Sequence, residues 1–156
     1  MERVTLDEKM TIGCPEGFHV MTEEERSKMS MLEEGPWVGL SDPDRHILVT
    51  VGWKPVKGLA SMLKGKSLAE NMEKQVRRAM SPFGYTSEGP RERLIAGSKA
   101  YGFGYGYAAG DIDMGAESYV LKIDKVLYYF HFYARAALKK ESLPVWKEML
   151  ESVQVK

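Results

Sequence analysis

Tyr129, His131, Tyr133 and Arg135 occupy every second position of one short run, so an extended backbone sets all four side chains on a single face. Tyr and His carry an apolar body with a polar tip, which suits a wet binding groove. These four are the candidate binding residues. His131 would also serve as a general base if acids or nucleophiles converged on it in three dimensions. The residues therefore support a non-catalytic binding or protein-interaction module first. A small enzyme or metabolite-binding protein with a pocket near His131 is the alternative. A purely structural role, in which the polar tips hydrogen-bond loops or the C-terminal helix, competes with both.

Other motifs carry less chemistry. Gly102, Gly104 and Gly106 lie inside an alternating segment, whereas a phosphate-binding glycine loop sits between a strand and a helix N-terminus. Gly97-Ser98-Lys99 has the wrong order for a P-loop. Ser61 and Lys64 match Ser-x-x-Lys, but the companion motifs of that nucleophile are missing. Asp111, Asp113, Gly115 and Glu117 lack the spacing of a calcium loop and read as a solvated hairpin loop. His19, His46 and His131 are scattered and accompany one cysteine, so neither a metal site nor a cofactor is expected. No nucleophile elbow supports a Ser/His/Asp triad.

The elements that must position these residues follow from periodicity. Residues 126–135 read as a strand whose second face, Val126, Tyr128, Phe130, Phe132 and Ala134, is unbroken apolar core. The Tyr129–Arg135 face is mixed, as expected of a face only partly covered. Between 100 and 108, Tyr101, Phe103, Tyr105 and Tyr107 alternate with Ala and Gly, giving an aromatic wall backed by nearly bare backbone. Something must approach that bare side closely. The spacing predicts strands over 94–108, 117–123 and 126–135, preceded by a loop over 83–90.

Earlier in the chain, one or two short strands open the sequence. Thr22 and Glu25 form a capping box for a helix reaching about Leu32, and a hairpin turns at Ser41–Asp44. Ser67 and Glu70 form a second capping box for a helix ending at Met80, and Ser142 with Pro144 starts a terminal helix that docks on the sheet. The fold class is α+β, a twisted antiparallel sheet flanked by helices, and the 156 residues read as a single domain.

Net charge is zero, but residues 1–34 hold nine acids against four bases, while residues 54–78 hold seven bases against two acids. The basic segment, Lys54, Lys57, Lys64, Lys66, Lys74, Arg77 and Arg78, could meet an anionic partner. The balanced total argues against nucleic acid. Met62 and Leu63 in a flexible loop could support self-association, so a homo-oligomer is a further expectation. No apolar run reaches the roughly 20 residues of a membrane span. No signal peptide is visible, and lone Cys14 suits a reducing compartment, so the expected location is the cytoplasm.

Cys14-Pro15-Glu16-Gly17-Phe18, the segment Ile95 to Tyr107 and the segment Tyr128 to Ala134, taken with the order of elements, resemble the PsbP-like family. That family includes extrinsic PsbP proteins of photosystem II, a Ran-binding nuclear-transport factor and bacterial domains of unknown function. The likeness spans nearly the whole chain and is strongest to uncharacterised proteins of gut bacteria. It implies an α/β/α sandwich and a protein or small-molecule partner, and it carries no functional residue onto this sequence.

Overall fold

Alternation of side chains along residues 98–135 produces long, fully paired strands, as a period of two requires. The computed structural model describes residues 1–31 and 34–156. Its strands are β1 (Glu2–Thr5), β2 (Met10–Cys14), β3 (His19–Val20), β4 (Trp37–Asp42), β5 (Ile47–Pro55), β6 (Thr86–Ile95), β7 (Ser98–Ala109), β8 (Ile112–Ile123), β9 (Val126–Arg135) and β10 (Gln154–Val155). The helices are α1 (Glu23–Ser27), α2 (Gly65–Met80) and α3 (Lys139–Glu151). Among the described residues, seven strands form an antiparallel sheet in the order β3-β4-β5-β9-β8-β7-β6, and β1-β2-β10 form a smaller antiparallel sheet.

The large sheet carries a core on each face. On one side Tyr128, Phe130, Phe132 and Ala134 of β9 pack with Trp146, Met149 and Leu150 of α3 and with Met10 and Ile12 of β2. Each large apolar side chain buried there stabilises the fold by about 1.5–3 kcal/mol. On the other side Phe103, Tyr105, Val120, Leu127 and Tyr129 pack with Met72 and Val76 of α2. The covering of this face is uneven: Leu127, Tyr129 and His131 are 4%, 7% and 3% exposed, whereas Tyr133 and Arg135 at the end of the same face are half-buried.

Several boundaries differ from expectation. The loop expected over 83–90 and the strand over 94–108 are instead the hairpin β6–β7, which turns at Ala96 and Gly97 with φ of 52° and 78°. Two consecutive positive φ values match a type I′ turn, and Ala is an uncommon residue for its first position. Pro90 lies inside β6, which it can do because β6 is an edge strand, and the register skips a residue between Ser87 and Gly89.

Helix α1 keeps its capping box, with Thr22 Oγ1 accepting from Glu25 N–H at 3.1 Å, but ends at Ser27; the expected end near Leu32 lies outside the described residues. The Ser67–Glu70 capping box does not form, since α2 begins at Gly65 with Lys64 at its cap. Likewise α3 begins at Lys139, so Ser142 is buried within it and Pro144 sits in its interior.

Candidate functional site

His131 lies on the face of the sheet that carries α2. Register sets it directly opposite Thr50 of β5 and Ser118 of β8. Its Nδ1 lies 2.7 Å from Ser118 Oγ, and its ring stacks on Tyr133 with centroids 6.2 Å apart. The Tyr105 hydroxyl joins this group through hydrogen bonds with Tyr133 and Ser118, while burial raises its pKa far above the ordinary value of 10. Tyr85 and Tyr107 flank Tyr105 with centroids 5.4 and 5.9 Å away, continuing the aromatic wall of β7.

Two cavities open beside these residues. One of about 230 Å³ is lined by His131, Tyr133 and Tyr105 on the sheet, by Val76, Ala79 and Met80 of α2, and by Ser30, Met31 and Phe83. The other, of about 400 Å³, lies between Met29 and Ser30 after α1, the β4–β5 turn with Asp42 and His46, and Tyr107, Met114 and Tyr133. They share Ser30, Met80 and Tyr133. The walls are methionine and aromatic, with a few polar tips, which is the composition of a site for an apolar group.

The four candidate residues divide. His131 and Tyr133 line the cleft. Tyr129 lies under Lys54, whose Nζ is 5.5 Å from its ring centroid, and Arg135 is half-buried opposite Met114. Neither Tyr129 nor Arg135 lines either cavity. The Ser118–His131 contact has the form of a nucleophile and base, but Ser118 is 0% exposed in mid-strand, out of reach of a substrate. Among the described residues no group of three or more His, Cys, Asp or Glu could hold a metal ion.

No family model and no curated protein matches the sequence. Solved structures do match. Cyanobacterial PsbP (CyanoP) from Synechocystis sp. PCC 6803 aligns with a TM-score of 0.69 and 16% identity over 99% of this chain and 92% of its own. LpqN of Mycobacterium tuberculosis, involved in cell envelope biogenesis, aligns at 0.65 and 11% over 96% and 86%. The Ran-binding protein Mog1p of Saccharomyces cerevisiae aligns at 0.55 and 10% over 94% and 89%.

The chain has the PsbP-like fold. At these identities the likeness is one of backbone, so the site of this PsbP-like protein rests on its own residues.

Sequence reasoning missed Met29, Met31, Met80 and Met114, which come from three separate parts of the chain, the segment after α1, the end of α2 and β8. The aromatic parity of β7 was a usable signal, since it sets Tyr105 and Tyr107 on the face that carries His131 and Tyr133.

The bare side of β7 faces α3 and is filled by neighbours. A Cβ on Gly102 would run into the Ser118 carbonyl, and one on Gly104 would lie 2.8 Å from Arg91 Nη2. The space admits Arg91, whose Nε is 3.8 Å from the Glu117 carboxylate. The close approach demanded by the glycines is therefore made within the fold.

Proposed function

We propose that this PsbP-like protein is a non-catalytic binding module, one domain over 1–156, that takes an apolar group into the cleft between α2 and the His131–Tyr133 end of β9. The observation that carries this reading is the pair of cavities sharing Tyr133 and Met80, walled by flexible methionines that adapt to a ligand's shape. Tyr129 and Arg135 belong to the same face and frame the cleft without lining it. The Mog1p likeness favours a protein partner, whose apolar side chain would occupy the space. Buried Cys14 suits a reducing cytoplasm.

Methyl-labelled methionine NMR tests the reading directly. Titration with a library of small apolar fragments should shift Met29, Met31, Met80 and Met114 while leaving the core residues Met10 and Met149 unmoved. Tyr133→Ala should alter the response without unfolding the chain. If no fragment moves those four methyls, the cleft is packing space and the proposal fails.

A further inference from the structure

From the end of β5 into the first turn of α2 the chain runs Lys54-Pro-Val-Lys-Gly-Leu-Ala-Ser-Met-Leu-Lys-Gly-Lys66, with four lysines and no acid. Its 3-10 turn at Gly58–Met62 leaves Leu59 84% and Met62 78% exposed, and Leu63 beside them 38% exposed. Lys57, Lys64 and Lys66 flank these apolar residues in the sequence and are exposed too. Val56 is buried and its N–H donates to the Lys125 carbonyl at 2.8 Å, while Lys122 Nζ donates to the Ser61 carbonyl. The segment is thereby held against the β8–β9 end of the sheet. Lys125 adds another exposed cation there, and the nearby carboxylate of Asp124 has its own partner in Lys9 at 4.0 Å.

We propose that this segment docks on an anionic lipid surface, with Leu59 and Met62 entering the headgroup boundary and the flanking lysines on the lipid phosphates. Apolar tips flanked by cations match both properties of such a surface, and the two attractions reinforce each other. A nucleic acid would use the lysines but leave the aliphatic tips in water, and this segment offers no aromatic ring for base stacking. A second copy would bring like charge against like charge. Among the described residues no helix is long and apolar enough to cross a membrane, so docking here is peripheral.

Sedimentation with vesicles tests the proposal. The intact protein should pellet with phosphatidylglycerol/phosphatidylcholine vesicles, release at raised salt, and stay in solution with phosphatidylcholine alone. Removing one cation, as in Lys57→Ala or Lys64→Ala, should weaken partition about fivefold. Leu59→Asp with Met62→Asp should abolish it, and circular dichroism of these exposed-site variants should match the parent. Failure to pellet with the anionic vesicles overturns the proposal. So does equal pelleting by the double Asp variant, which would leave only a generic cationic patch. Nucleic-acid binding that survives the Asp changes, without vesicle binding, would assign the lysines to that occupant instead.

Discussion

The indole Nε1–H of Trp146 on α3 donates to Glu117 Oε1 on β8 at 3.1 Å, joining the terminal helix to the middle of the sheet. The same oxygen accepts from the Tyr119 hydroxyl at 3.2 Å, and Arg91 approaches the other carboxylate oxygen. Glu117 is 9% exposed, so this is a buried carboxylate with its partners supplied by three elements.

Removing it leaves those partners unsatisfied. Glu117→Ala should lower stability by about 2 kcal/mol, because it strips the buried Trp146 indole N–H of its acceptor along with that of the Tyr119 hydroxyl. Glu117→Gln, which keeps an acceptor, should cost less. Urea unfolding measures both, and equal small losses would show that the carboxylate contributes nothing to the docking of α3.

The bare face of β7 should tolerate side chains unequally. Gly102→Ala forces a methyl into the Ser118 carbonyl and should destabilise by at least about 3 kcal/mol. At Gly106 the nearest atom to a new Cβ is the Met114 carbonyl at 3.4 Å, close to ordinary contact, so Gly106→Ala should change stability by less than about 1 kcal/mol. Thermal denaturation of the pair checks the order, and similar shifts would refute it.

The Thr50 hydroxyl is fully buried without a hydrogen-bond partner among the described residues, although Thr50 neighbours His131. Thr50→Val should therefore be neutral or stabilise by about 1 kcal/mol. Ser118→Ala should instead cost about 1–2 kcal/mol, because it strips the buried His131 ring of a partner. A clear loss from Thr50→Val would reveal a hydrogen bond to that hydroxyl.

Alkali should expose the buried tyrosines cooperatively. Burial, with the Glu117 charge second, pushes Tyr119 up to about 12, and burial also raises Tyr105 and Tyr128. A phenol whose folded pKa exceeds its unfolded value of about 10 adds stability that is complete below pH 10 and is lost as pH rises toward the folded value. Spectrophotometric titration should show one fraction of the eight tyrosines ionising freely and another only as the fold opens. Smooth titration of all eight while native circular dichroism persists would contradict this.

Strand β9 and its core face were readable because five alternating apolar residues admit one register toward the interior. The Thr22–Glu25 cap was readable because both halves of its bonding lie within four residues. Parity places His131 and Tyr133 on one face but says nothing of what covers it. That depends on α2 crossing from elsewhere, with Val76 and Met80 meeting residues more than fifty positions away. The β6–β7 turn stayed hidden because Ala96 adopts a backbone region that its residue type rarely visits.

Strand β6 limits how copies of this protein can meet. A free sheet margin normally offers a row of amides that another chain can copy, the starting point of fibrous assembly. Here Pro90 removes one of those amides, the skipped residue at Glu88 breaks the spacing of the rest, and Arg91, Glu92 and Arg93 place charge along the row. An eighth strand therefore finds no continuous template, and the sheet ends where the chain's own pairing ends.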